Sequence, residues 1–413
     1  MLIDLTPLRR YRDFRLLFLG QLVSFLGSMI TYVAVPYQVY ELTKSNLMVG
    51  LLGTVQLVPV LIFGLVGGSV ADTMDRRKLL LVSEALLALG ALGLALNAAL
   101  PQPSLWFIFI LAALMQTVNG FHRPAMDAMT QKLVRVEDLP SVAALGSLRY
   151  SVGAVAGPAL GGLLIAVAGT KMAYVVDLVS FTVSLGALWM MERMPPPESS
   201  RESGLGLILE GLRYAMKRPE LIGTYVVDIV AMTFAFPTAL FPAMAEQWGG
   251  AAVAGALFSA MSVGSLVMTT FSGWTARVRR RGAAVVVAAA LWGLAVLGFG
   301  FAPNLPLALF FLGLAGAADM VSGLFRGVIW NETIPNELRG RMAGIEMISY
   351  MTGPLIGNAR AGWVATLTST RMSVISGGVL CVVGVVLCGF LLPAFWRYAA
   401  PKAEQRPLPT PEA

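Results

Sequence analysis

The sequence predicts an all-α polytopic membrane protein, with twelve transmembrane helices arranged as two pseudo-symmetric six-helix bundles. Three observations lead there. Of the 413 residues, 57% are hydrophobic and only 13% are charged, about half the charged share of a soluble domain. The apolar residues come in runs of roughly 20 or more, the length that crosses ~30 Å of hydrocarbon as a helix. The runs are continuous, whereas a barrel strand would alternate with period two. Finally, the second half of the chain repeats the first.

Taken in order, the chain opens on a polar stretch carrying Arg9, Arg10, Arg12 and Arg15. No cleavable signal peptide is expected there, and the cations place the N-terminus in the cytoplasm. Spans follow at about 15–40, 47–71, 78–100, 104–131, 140–168 and 172–191. Residues 67–78, GGSVADTMDRRK, orient all of them. A short charged hinge with Arg76, Arg77 and Lys78 close to the lipid belongs on the inner side. The outer connections, ELTKSN, LPQPS and AGTK, are short, and residues 1–191 form the first bundle.

Residues 192–219 are read as a cytoplasmic linker, because ERMPPPESSRESG is rich in Pro and Ser. Its second part sets Leu205, Ile208, Leu209, Leu212 and Met216 along one helical stripe opposite Glu210, Arg213 and Lys217. That pattern fits a helix lying on the membrane surface, or else a soluble linker helix. Residues 220–398 form the second bundle, with spans at about 220–245, 251–275, 282–302, 305–330, 341–367 and 373–396. The polar, Pro-rich tail 399–413 is expected to be disordered. An even number of spans returns the C-terminus to the cytoplasm.

The repeat is in register. An offset of 205 carries Gly50 onto Gly255, Gly68 onto Gly273, Ala71 onto Ala276, Arg76 onto Arg281 and Pro101 onto Pro306. An offset of 196 carries GPALGG, from Gly157, onto GPLIGN, from Gly353. Duplicated six-helix halves are an architecture of secondary transporters.

Charge and composition exclude several classes. The net charge is +7, yet of 30 Lys and Arg only Lys44, Lys171 and Arg371 fall in outer loops, and Arg123, Arg149, Arg326 and Arg360 fall inside spans. The inner side holds the rest, which is the positive-inside pattern and needs no nucleic-acid partner. A single His122 and two cysteines, Cys381 and Cys388, offer no metal or haem site, and no cofactor is expected. The cysteines share a helical face and are expected to pack rather than to bridge. No nucleophile–base set marks an enzyme. Gly169-Thr170-Lys171 lacks the glycines of a phosphate loop, so an ATP-driven pump is not supported.

The chain resembles the major facilitator superfamily over essentially its whole length. Gly68, Val70, Ala71, Asp72, Arg76 and Arg77 match the superfamily's hinge pattern between helices 2 and 3, while Thr73 and Asp75 depart from it. Gly153, Gly157, Pro158, Gly161 and Gly162 meet every fixed position of the helix-5 pattern of the drug/proton antiporter branch. Finer similarity, in LNAALPQPS, Arg149 and EGLRYAMKRPEL, points to the twelve-helix exporters that include siderophore and macrolide efflux proteins. The helix-4 antiporter pattern is not met, since Gln116 stands where that branch has an arginine.

The resemblance implies a secondary transporter of the bacterial inner membrane, a monomer that exports small amphipathic molecules by proton antiport and alternating access. An uptake carrier, or an exporter not coupled to protons, is the alternative. Asp72 would latch the halves on the inner side, paired with Arg76 and Arg77 unless these meet anionic lipid instead. The helix-5 glycines would allow close backbone approach, as ordinary small-residue packing also would. Coupling needs a carboxylate inside a span, and Asp319, Asp228, Asp177 and Asp127 are the candidates. Arg149, Arg326, Arg360 and Arg123 are their possible charge partners; a permanent ion pair is the competing role. In this fold, helices 1, 4, 7 and 10 would line the cavity, with Gln21, Ser24, Tyr32, Gln38, Gln116, Asn119, Phe234, Phe236 and Phe325, aided by Met115, Met232 and Met320.

Overall fold

The structure is a computed structural model that describes residues 4–192, 205–335 and 338–399. Its described residues hold helices and no strand. Six crossings come first: α1 (Arg12–Thr43), α2 (Asn46–Thr73), α3 (Arg76–Ala98), α4 (Leu105–Lys132), α5 (139–168) and α6 (170–189). Six follow: α7 (Pro219–Ala235, continued by Phe241–Trp248), α8 (Ala251–Thr270), α9 (Arg281–Phe301), α10 (Leu305–Thr333), α11 (Arg339–Leu367) and α12 (Thr370–Leu391). No break other than a turn at Gly169 (φ 77°) separates α5 from α6, a conformation that glycine adopts without a Cβ penalty.

Five of these starts follow from side chains that cap the free N–H groups of a first turn. Ser45, Ser104, Asn304 and Ser369 accept from the third residue beyond them, opening α2, α4, α10 and α12. Asp75, one of the two departures from the superfamily hinge pattern, accepts from the N–H groups of Arg77 and Lys78 and so opens α3.

The connections sort into two faces. The basic face holds the Arg76–Lys78 hinge, the linker helix Leu205–Met216 and the cations Arg277 to Arg281. The far face holds Lys44, Glu246 and the turn at Gly169. Trp106 and Trp363 stand exposed toward the far face, and Trp189 and Trp274 toward the basic face, the belt that indole rings form at lipid–water boundaries. Between them, Leu86, Leu89, Ile110, Leu163, Phe310 and Leu387 are exposed, as a lipid-facing surface requires.

Small residues set the packing. A Cβ on Gly153 would run into the Phe25 ring, one on Gly157 into the Met29 side chain, and one on Gly161 would stand 3.1 Å from Ile30 Cα. The three glycines recur every fourth residue, so they form one face of α5 against α1. In the second half, Gly353 and Gly357 of α11 meet Met232 of α7 in the same way. The repeat read from the sequence is therefore a repeat of contacts. The helix runs on through Pro158.

Two expected elements differ. Span 7 is not one helix: it breaks at Phe236-Pro237, since proline cannot donate to the preceding turn. Broken backbone at membrane depth needs partners, and α11 supplies them. Asn358 Oδ1 accepts from Thr238 Oγ1 at 2.8 Å and Ala239 N at 2.9 Å, while Arg360 donates to Phe234 O at 2.7 Å. A helix spans Leu205–Met216 and docks by Gly211 and Ala215, with Tyr214 Oη donating to Thr333 O at 2.6 Å. Leu212 and Met216 of the predicted stripe stay exposed. Cys381 and Cys388 are free and buried. The tail 400–413 lies outside the described residues.

Candidate functional site: a cavity between the halves

Where the halves meet, the far face is closed. Gly162 of α5 lies against Gly255 of α8, and Gly50 of α2 against Gly362 of α11. Lys44 Nζ donates to Glu246 Oε1 at 2.5 Å, and Asn46 Nδ2 to Thr370 Oγ1 at 3.1 Å. Below this seal lies a cavity of about 390 Å³, within the range of small-molecule sites.

Its wall is mixed. Aromatic faces come from Phe25, Tyr32, Tyr150, Phe181 and Phe258, and amides from Gln21, Gln56, Gln116, Asn119 and Asn358. Met29, Met115, Met126, Met347 and Met351 add adaptable surface. Three nitrogen bases reach it, all from the first half: His122, Arg123 and Arg149. Arg123 donates to Tyr350 Oη at 3.1 Å across the halves, and Arg149 to the Met126 thioether at 3.2 Å.

Of the expected lining residues, Gln21, Ser24, Tyr32, Met115, Gln116 and Asn119 are there. Gln38 is not: it is buried and accepts from Tyr174 Oη at 2.7 Å, tying α1 to α6. Phe234 and Phe236 lie beside the α7 break, where Phe236 stacks on Trp292. Phe325 is buried against Trp274, and Met232 packs in the core. Residues of α2 and α11 line the cavity in place of α10, because the glycine crossings draw those two helices together at the boundary.

The charged candidates form separate groups. In the second half, Arg326 Nη1 lies 2.5 Å from Asp228 Oδ2 and Nη2 lies 3.8 Å from Asp319 Oδ1. Asp228 is 4% exposed, whereas the Asp319 side chain is 39% exposed. Asp319 stands at mid-span, yet Asp228 is the better buried of the two. Arg360 acts on carbonyls: besides Phe234 O, it reaches Ser373 O at 3.2 Å and Ser376 Oγ at 2.9 Å. Asp177, fully buried at the cavity wall, accepts from Thr31 Oγ1 at 2.5 Å and Ser180 Oγ at 3.3 Å. Asp127 lies within electrostatic reach of Arg123, Arg149 and His122.

At the basic-face hinge, Arg77 donates to Leu188 O at 2.9 Å and Trp189 O at 2.7 Å, the last carbonyls of α6. Arg76 reaches Ala128 O of α4 at 3.5 Å. These three bonds stay within the first half. The side chains of Gly68 and Asp72 lie outside the described residues.

One cluster was missed from the sequence. Glu84 of α3 has no exposed surface. Its Oε1 accepts from Gln21 Nε2 at 2.6 Å and lies 2.9 Å from His122 Nε2, and its Oε2 is 3.4 Å from Ser24 Oγ. Gln21 Nε2 also reaches Ser184 Oγ at 3.2 Å, so the cluster joins α1, α3, α4 and α6. A carboxylate eight residues inside a span was the available signal.

A family model described as transmembrane secretion effector matches residues 3–412. The chain is 31% identical over 388 residues to the enterobactin exporter EntS of Shigella boydii serotype 18, covering 94% of this chain and 93% of the relative. It is 30% identical over 402 residues to EntS of Citrobacter koseri, covering 97% and 96%. Among solved structures, a bacterial homologue of the human lysosomal transporter Spinster, inward-facing and unoccupied, shares the fold with a TM-score of 0.73 at 13% identity, covering 95% of this chain and 99% of that one. With twelve crossing helices among its described residues, packed as two six-helix halves around a cavity, the chain belongs to the transmembrane secretion effector family of the major facilitator superfamily, a family of secondary transporters.

Proposed function

We propose that this chain exports small amphipathic molecules, of siderophore or drug-like size, from the cytoplasm across a bacterial inner membrane in exchange for protons. The observation that carries the reading is the cavity: about 390 Å³, sealed toward the far face and walled by ring faces, amides and the cations of Arg123 and Arg149. Rings and amides suit a polar aromatic cargo, and buried cations suit one with acidic or phenolic groups. The enterobactin exporters among its relatives make a siderophore-like cargo the first to test.

In this reading the basic face is cytoplasmic, both termini lie there, and the seal at Gly162–Gly255 and Gly50–Gly362 is the outer gate. Asp72 latches the inner side when that gate opens. Asp228 and Asp319 share Arg326, so a proton on one carboxyl would leave the guanidinium to the other. Asp177 and Asp127 are the remaining carriers. Gln116, in the place of the antiporter branch's arginine, favours uptake, or export not coupled to protons, as the second reading.

Purified protein in liposomes with an imposed pH gradient and enterobactin as the probe tests this. Gradient-driven accumulation in wild type, lost in Asp319→Asn, is the expected result. Movement that ignores the gradient in wild type and is unchanged in the variant would sink proton antiport, and no movement of enterobactin would sink the siderophore assignment.

A further inference from the structure

The two halves handle their buried carboxylates differently. In the second half, Asp228 faces Arg326, a cation that keeps its charge at every accessible pH. In the first half, the fully buried Glu84 faces His122, the chain's single histidine. Imidazole is the side chain whose unperturbed titration falls in the physiological range. The offset of 205 carries His122 onto Gly327, next to Arg326, so histidine and arginine occupy almost equivalent places on α4 and α10.

Geometry gives the pair a route and an effect. Glu84 lies eight residues into α3 and His122 ten residues from the end of α4, each roughly 12–15 Å from the basic face at 1.5 Å per residue. The His122 ring lines the cavity while Glu84 lies behind it. Gln21 of α1 joins Glu84 to Ser184 of α6, so a change of charge on the Glu84–His122 pair bears on four helices at once. Of the other charged groups, Asp127 of α4 lies within electrostatic reach of His122 and also of Arg123 and Arg149, and Asp177 of α6 lies within reach of Glu84. The facing groups of α1 are the uncharged Gln21 and Ser24.

We propose that Glu84 and His122 form a proton-binding site of the first half, loaded through the cavity and coupled to transport. The proton enters on the imidazole, converting a buried carboxylate beside a neutral ring into an ion pair, and leaves by the same ring; the pair's net charge changes by one in each direction. Burying a carboxylate without a countercharge costs several kcal/mol, so loading and unloading bias how tightly α1, α3, α4 and α6 hold together. This rests on the proton-antiport reading above.

The test uses the full chain in liposomes containing a pH-sensitive dye, with enterobactin as the probe and with probe binding measured separately in detergent. Glu84→Gln, behind the cavity wall, is expected to bind the probe within about threefold of wild type and to keep downhill movement, while gradient-driven accumulation falls about tenfold or more in it and in His122→Gln, the equivalent of ~1.4 kcal/mol. His122→Arg, which restores a cation opposite Glu84 as Arg326 does opposite Asp228, is expected to fold and to remain uncoupled. Coupling retained in the two Gln variants, or in His122→Arg, overturns the proposal and makes the cluster a static brace. Binding lost in step with transport in Glu84→Gln overturns it in favour of a cargo contact. A wild type that ignores the gradient rejects proton antiport itself, a failure visible without any variant.

Discussion

Gly162 and Gly255 meet backbone to backbone where α5 crosses α8: a Cβ on Gly162 would stand 2.7 Å from Gly255 Cα, and a Cβ on Gly255 2.8 Å from Gly162 Cα. The crossing of α2 and α11 at Gly50 and Gly362 is its partner in the repeat, with corresponding approaches of 3.1 and 2.9 Å. Neither crossing has room for a side chain, so the far-face seal depends on the absence of one. Gly162→Leu or Gly255→Leu is expected to open it. Overpacking costs ~1–3 kcal/mol, which moves a two-state equilibrium about 5- to 150-fold. A cysteine placed at Gln56 on the cavity wall should then react at least about fivefold faster with a membrane-impermeant maleimide added at the far face. The native cysteines are buried and will not compete. Unchanged labelling in a folded variant would mean that the seal lies elsewhere.

Lys44 closes the same face by charge. Its hydrogen bond to Glu246 holds the ammonium above its ordinary value of 10.5. A group whose pKa is raised on folding contributes fully below its unfolded value and loses that contribution as pH rises through the folded one. The Lys44 contribution is therefore expected to be constant from about pH 6 to 9 and to fade only in alkali beyond about 10.5. Both side chains are more than half exposed, so the pair should weaken with salt. Far-face labelling compared between wild type and Lys44→Gln checks both points; a difference that varies with pH between 6 and 9 would contradict the first.

Arg77 gives the hinge a structural duty. Its two bonds to Leu188 O and Trp189 O cap the end of α6, where free carbonyls and the helix dipole favour a cation. Arg77→Ala is expected to cost ~1–3 kcal/mol, the worth of charged hydrogen bonds, in the unfolding of purified protein in detergent. Arg77→Lys should keep the charge and only part of the geometry. A loss seen only when anionic lipid is present would return Arg77 to the lipid role.

The elements were legible because each has a local cause. Run length located the crossings, and the glycine registers announced the contacts of α5 and α11. Partners across helices were not legible. Glu84 and His122 are 38 residues apart in sequence, and which faces α3 and α4 turn to each other depends on packing rather than on spacing. Arg360 read as a charge partner because the break at Pro237, which frees the carbonyl it serves, was read as continuous helix. Gln38 read as cavity lining because an amide inside a span points equally well to a cavity or to a phenol, and here Tyr174 was waiting.

Arg326 separates stability from transport in the second half. It holds Asp228 at 2.5 Å in a buried setting and Asp319 at 3.8 Å at a half-exposed one. Asp228→Asn leaves the guanidinium without its close partner, and breaking a buried pair on one side costs ~3–5 kcal/mol. Replacing both members, Asp228→Leu with Arg326→Leu, removes the uncompensated charge and should recover much of that loss. Asp319→Asn leaves the close pair intact, so its cost should stay within ~1 kcal/mol, as for a solvent-reached pair, while transport suffers. Denaturation of the purified variants, set out as a double-mutant cycle on Asp228 and Arg326 with Asp319→Asn alongside, measures all three. Equal destabilisation by Asp228→Asn and Asp319→Asn would mean that the three charges act as one static brace, and neither carboxylate would then be free to exchange a proton during transport.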